Sequence, residues 1–140
     1  MRLMGIDYGI KRVGIALSDE GVQFAMPFSV IENSKKLINE IIELAQKNKV
    51  EEVILGESKD YDGKDNAIHA ESLEFKKLLE EKGLKVYLEP EFMTSVEAER
   101  KPGRENREAD RKVRKEATVM LDARAAALIL QSYIDKNINK

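Results

Sequence analysis

The sequence predicts an α/β fold: a five-stranded mixed sheet with helices on both faces. Three observations predict it. Two apolar runs, residues 2–7 and 13–17, are separated by a short turn containing Gly9, the pattern of a hairpin. A third strand-like run follows at 24–31 without an intervening helix. After it, stretches of helical periodicity alternate with short apolar strands, so the order reads β-β-β-α-β-α-β-α. A three-strand meander pairs antiparallel, whereas two crossover units add parallel strands and place helices against the sheet.

Each element has a local reason. Residues 2–7 alternate into an apolar strand, and 13–17 carry the small residues Gly14 and Ala16. Pro27 directs the third strand towards a sheet edge, because proline cannot donate to a ladder. Asn33 or Ser34 is expected to cap a helix reaching Asn48, with Leu37, Ile38, Ile41, Ile42, Leu44 and Ala45 at helical spacing. The fourth strand covers 50–55 and is expected to stop at Gly56, with a polar loop over 57–65. A helix over 66–82 should end at Gly83. The fifth strand spans 84–88, closed by Pro90. Thr94-Ser95-Val96-Glu97 has capping-box spacing and predicts a further helix, broken by Pro102-Gly103. A last helix is expected over 118–135. At 140 residues the chain suits one domain, 1–140.

Composition removes several function classes. The chain has no cysteine, which excludes disulfides, thiolate catalysis and cysteine-ligated zinc, and fits a cytoplasmic location. No apolar run approaches the roughly 20 residues needed to cross a bilayer, so no membrane partner is expected. Asp7 interrupts the short apolar N-terminus, and no secretory signal is expected. The single histidine, His69, has no partner for metal binding and reads as a surface residue. No base can be assigned to Ser18 or Ser58 as a nucleophile.

Three acids remain as candidates. Asp7 ends an apolar strand just before a glycine turn; strand ends in α/β sheets face open crevices, although aspartate also simply favours turns. Glu91 follows the fifth strand, where it could equally be a solvated loop acid near a helix start. Asp122 lies beside Val119, Ala123, Ala126, Ala127 and Leu130 on a helical wheel, on or next to the stripe that faces the sheet. A carboxylate there is costly unless it is paired or bound to a cation. Its bland reading is a salt bridge, to Arg124 or to an arginine of the preceding segment. Three oxygen donors from distant parts of the chain suit Mg²⁺ or Mn²⁺ rather than zinc.

The fourth feature is charge. The whole chain carries −2, yet residues 100–115 hold eight bases and three acids, a local +5. Arg100, Lys101, Arg104, Arg107, Arg111, Lys112, Arg114 and Lys115 are candidate phosphate contacts, together with Lys11 and Arg12 in the first turn. The alternative is a solvated helix carrying i,i+4 ion pairs. The opening hairpin also resembles the phosphate-binding hairpin of actin-like and sugar-kinase ATPases, but the chain lacks their second phosphate loop and their length.

Taken together, the chain resembles the YqgF-type (RuvX-like) Holliday-junction-resolvase-like family, also described as pre-16S rRNA nucleases. The resemblance runs through Gly5-Ile6-Asp7-Tyr8-Gly9-Ile10-Lys11-Arg12-Val13-Gly14-Ile15-Ala16, Asp62-Gly63, Thr94-Ser95-Val96-Glu97-Ala98-Glu99-Arg100 and 122–133, in order and at matching spacing. It implies an RNase H-like fold, a Mg²⁺- or Mn²⁺-dependent nuclease, a role in maturing the 5′ end of 16S rRNA, and an acidic site at Asp7, Glu91 and Asp122. The partner would be ribosomal precursor RNA or branched DNA, and the protein a monomer or homodimer. A DNA junction resolvase and a non-catalytic RNA-binding or ribosome-assembly factor remain the alternatives. The chain departs from the family pattern at Pro90-Glu91-Phe92, where Asp-Glu-Arg is usual, and at Ser58 and Asp60, where proline and asparagine are usual.

Overall fold

The computed structural model describes residues 1–58, 66–91 and 108–138, without the side chains of 58, 66–68, 91 and 108–120. Five strands, β1 (Arg2–Tyr8), β2 (Arg12–Ser18), β3 (Ala25–Glu32), β4 (Val50–Ser58) and β5 (Lys85–Glu91), form one sheet of order β3-β2-β1-β4-β5. β1 pairs antiparallel with β2, and β2 with β3; β1–β4 and β4–β5 are parallel. This is the mixed sheet the sequence predicts. The helices are α1 (Leu37–Lys47), α2 (Asn66–Glu81) and α3 (Glu108–Asn137).

Strand alternation sorts the apolar residues into two cores. Met4 and Ile6 of β1, Val13, Ile15 and Leu17 of β2, and Val53 and Leu55 of β4 join Leu37, Ile41 and Ala45 of α1 and Phe75 and Leu79 of α2. On the opposite face Leu3, Ala16 and Ile54 meet Ala126, Ala127, Ile129, Leu130 and Ile134 of α3. Helices therefore cover both faces, as expected. Tyr8 and Phe75 extend the first core upwards, with ring centroids 5.0 Å apart.

Both edge strands contain a proline, and the sheet continues through each. Pro27 pairs with Ala16 beside a register shift in β3. Pro90 pairs with Glu57 inside β5 and does not close it. An edge strand has one side without ladder bonds, so the lost donor is tolerated. Gly56 likewise does not stop β4, because its pairing with Glu89 carries the ladder on to Ser58 and Glu91. Gly83, at φ +99°, ends α2 in the left-handed region, as its position in the sequence predicts. At α1 the residue before the helix is Lys36, which makes no side-chain cap; Ser34 acts two residues earlier, its hydroxyl accepting from the Lys36 N–H at 3.2 Å.

α3 begins ten residues earlier than its apolar stripe suggests. Residues 108–117 are mostly strong helix formers, and Glu108–Lys112 and Asp110–Arg114 have the acid-before-base i,i+4 spacing that favours a helix. Acids near the N-terminus also suit the helix dipole. Half of the basic segment is thus helical backbone. The predicted helix from Thr94, the loop containing Asp60 and Asp62-Gly63, and residues 100–107 lie outside the described residues.

The β2–β3 connection is organised by Asp19. Its Oδ1 accepts from the N–H groups of Phe24 at 2.9 Å and Gln23 at 2.8 Å, which holds its carboxyl below the usual carboxylate range. A depressed folded pKa contributes stability that is present above the unfolded value and lost as pH falls through the folded one. Asp19→Asn is therefore expected to flatten the acid limb of the stability curve below about pH 4, measured as Tm against pH. An acid limb identical to the parent's would show that the turn does not depend on this charge.

Candidate nuclease site

Two of the three candidate acids, Asp7 and Asp122, are each tied to Gly14 near the upper end of β1, and two glycines let α3 rest there. Alternation puts Leu3, Gly5 and Asp7 on the face covered by α3. A Cβ on Gly5 would lie 2.7 Å from both the Ala126 carbonyl oxygen and the Leu130 Cβ. A Cβ on Gly14 would lie 2.1 Å from the Asp122 carbonyl oxygen. The absent side chains let α3 rest directly on the sheet. Gly14 is the cross-strand partner of Asp7. The Asp122 backbone thus sits over Gly14, the residue paired with Asp7 on the neighbouring strand.

Asp122 is 8% exposed, confirming its place on the sheet-facing stripe. An ionised carboxylate buried this far needs compensation. Arg12 supplies part of it: its Nε donates to Asp122 Oδ2 at 2.9 Å. The salt-bridge alternative is realised with a partner the sequence did not name, which comes from β2, 110 residues away. Arg12, expected as a phosphate contact, is thereby an ion-pair partner of Asp122. Arg124 is exposed.

Glu91 is the last residue of β5, paired with Ser58. β5 is two strands from β1, so its backbone lies about 10 Å across the sheet from that of β1. Its side chain lies outside the described part of the molecule. Among the described residues no three acidic or histidine side chains cluster as a metal site. Hard carboxylate oxygens such as those of Asp7 and Asp122 suit an oxygen-preferring divalent cation.

A further acid, which the sequence did not single out, anchors this region. Glu89 is 3% exposed, and its Oε2 accepts from Ser132 Oγ at 2.9 Å and Lys136 Nζ at 2.6 Å. These bonds fasten β5 to α3, the helix that also carries Asp122. Tyr87 and Tyr133 stack beside them, centroids 6.0 Å apart, and burial raises the Tyr133 hydroxyl pKa. The only sequence signal was a glutamate two residues before Glu91 in a strand.

The rim is formed by the β1–β2 turn. Asn33 clamps it: its Nδ2 donates to the Gly9 carbonyl at 2.8 Å and its N–H to the Lys11 carbonyl at 2.9 Å. Lys11 is exposed at this turn, beside the acids. Arg111, Lys112, Arg114 and Lys115 lie along the first part of α3, up-chain of Asp122; Arg100, Lys101, Arg104 and Arg107 are outside the described residues. No described helix is long and apolar enough to cross a membrane.

A meander of three strands, two parallel additions and a last helix laid over the central strand make this an RNase H-like domain of the Holliday-junction-resolvase kind. Two solved structures share the fold: the Thermus thermophilus RuvC in complex with a Holliday junction substrate (TM-score 0.55, 19% identity, 97% of this chain and 96% of that one) and the fowlpox virus resolvase with Holliday junction DNA (TM-score 0.57, 14% identity, 99% of each). The chain belongs to the RuvX family, described as Holliday junction resolvase, whose model matches residues 1–136. Curated relatives from Maridesulfovibrio salexigens (33% identical, covering 96% of this chain and 98% of the relative) and Lactobacillus helveticus (36%, 96% of each) carry the name "Putative pre-16S rRNA nuclease".

Proposed function

We propose that the chain is a metal-dependent endonuclease that matures the 5′ end of pre-16S rRNA in the cytoplasm, with Asp7, Glu91 and Asp122 as its acidic site. The observation that supports this reading is the seating of the Asp122 backbone on Gly14, the cross-strand partner of Asp7. Membership of a nuclease family and the name shared by its relatives support the reaction and the RNA substrate.

The chain's own residues divide the work. Asp7 and Asp122 would hold a Mg²⁺ or Mn²⁺ ion, with Glu91 completing the set from β5. A bound divalent ion supplies Lewis-acid activation of water and neutralises charge developing on the phosphate. Burial of α3 against the sheet keeps Asp122 fixed, so little reorganisation is needed when substrate arrives. Lys11 and the basic run of Arg100, Lys101, Arg104, Arg107, Arg111, Lys112, Arg114 and Lys115 would draw in the phosphate backbone, giving salt-sensitive, sequence-independent affinity.

The family description favours a second reading, cleavage of four-way DNA junctions. One panel separates them: precursor RNA carrying the unprocessed 5′ end, and a four-way DNA junction, each with and without Mg²⁺. The expected result is Mg²⁺-dependent cutting of the RNA near the mature 5′ end, with the junction cut at least about tenfold more slowly, a difference of about 1.4 kcal/mol. Preferential, symmetric cutting of the junction would establish the second reading. Binding without Mg²⁺-stimulated cleavage of either substrate would make the chain a non-catalytic RNA-binding or assembly factor.

A further inference from the structure

The Arg12–Asp122 ion pair has one fixed and one movable member. The Asp122 side chain keeps 11% of its exposure, on a helix whose backbone rests on Gly14. The Arg12 side chain keeps 39% and reaches in from the first residue of β2. In the β2–β3 ladder Arg12 stands directly opposite Glu32, which is exposed at the end of β3. Cross-strand neighbours have Cβ atoms about 4.5–5.5 Å apart. A guanidinium leaving Asp122 therefore has a second carboxylate within reach, with no backbone movement. Asp122 has no such freedom.

Both members also bear on the same reaction site. The oxygen that accepts the Arg12 Nε–H, Oδ2, is one of the two that Asp122 can offer a cation. Two positive groups crowded onto one buried carboxylate repel strongly, and more so than they would in water. Arginine is also the side chain best shaped for bidentate contact with a phosphate. Arg12 flanks the turn where Lys11 is exposed, on the side from which a phosphate backbone would approach.

We propose that Arg12 is an exchangeable positioning residue. It neutralises Asp122 until a divalent cation takes that carboxylate, then turns outward past Glu32 to engage a phosphate of the nucleic acid. No bond is made or broken; one carboxylate exchanges partners and one arginine is delivered to the substrate. The inference rests on the assignment of Asp7 and Asp122 to one cation site.

Two measurements on the full chain test it. The first follows the Arg12 Nε–H resonance of the ¹⁵N-labelled parent protein, assigned by its loss in Arg12→Lys, while MgCl₂ is added. The exchange predicts that it moves from its ion-paired position towards that of a solvated arginine as Mg²⁺ saturates. A resonance that stays in place at saturation overturns the proposal. The second is calorimetric titration with MnCl₂. Arg12→Gln is expected to bind Mn²⁺ about tenfold more tightly than the parent, a change of about 1.4 kcal/mol, while its affinity for precursor RNA falls. Lys76→Gln, which removes one positive charge from α2 on the opposite face, is expected to leave Mn²⁺ affinity within twofold. Equal or weaker Mn²⁺ binding by Arg12→Gln would make Arg12 a fixed support of Asp122 and defeat the exchange. Should Arg12→Gln not fold, the resonance of the parent decides. If Asp7→Asn retains the parent's Mn²⁺ affinity, the carboxylate site itself is wrong; if Asp7→Asn loses that affinity and Arg12→Gln does not gain any, only the exchange is wrong.

Discussion

Asp7→Asn is expected to lower the cleavage rate on precursor RNA by about 10³-fold, a loss of about 4 kcal/mol of transition-state stabilisation, while the protein folds normally. The reason lies in where Asp7 sits. It is half-buried at the end of β1, on the face covered by α3, and the strand on either side of it is held by ladders to β2 and β4. None of those backbone bonds depends on its charge. Asparagine is nearly isosteric, so packing against Gly14 and α3 is retained. What changes is one hard anionic donor in a site that has few. Single-turnover cleavage at saturating Mg²⁺, with circular dichroism to confirm the fold, checks both halves of the expectation. A variant that cuts as fast as the parent would remove Asp7 from the reaction.

Gly14→Ala is expected to have the largest effect on stability. The added methyl would lie 2.1 Å from the Asp122 carbonyl oxygen and 2.6 Å from its carbonyl carbon. Both are backbone atoms of a helix, so no side chain can turn aside to make room. Either α3 lifts from the sheet or β2 bends away. Lifting α3 would open the core of Leu3, Ala16, Ile54, Ala126, Leu130 and Ile134. Overpacking in a tight core commonly costs about 1–3 kcal/mol, and more where only backbone is available to yield. At least about 3 kcal/mol is expected here, a fall in Tm of about 10 °C for a chain of this size. Because the same contact seats Asp122 over the cross-strand partner of Asp7, cleavage should fail even at temperatures where the variant remains folded. A Gly14→Ala protein with parental Tm and activity would contradict the close seating of α3.

Much of this arrangement was legible in the sequence, for physical reasons that differ between residues. Asp7 stands out because an acid ends an apolar strand just before a glycine turn. Asp122 stands out because it lies on or beside a helical face of alanines, small residues that let a helix approach the sheet closely. The order of strands and helices follows from two periodicities. Pairing across the sheet is less visible. Arg12 and Asp122 meet because β2 and α3 cross at Gly14, and nothing in the spacing of residues 110 apart announces that. Glu89 looks like one more charged residue until Ser132 and Lys136 are found bonded to it. The ends of β4 and β5 were missed because Gly56 and Pro90 read locally as breakers, whereas the ladder between the two strands overrides both. The start of α3 was missed because a polar helix segment has no apolar stripe to mark it.

The central claim is that Asp7 and Asp122 form one cation site. Calorimetric titration of MnCl₂ into the parent, Asp7→Asn and Asp122→Asn tests it most directly. The parent is expected to bind Mn²⁺, and each single variant to lose at least about tenfold in affinity at the same site, with the double variant little worse than either alone. Parental Mn²⁺ affinity in both single variants would contradict the claim.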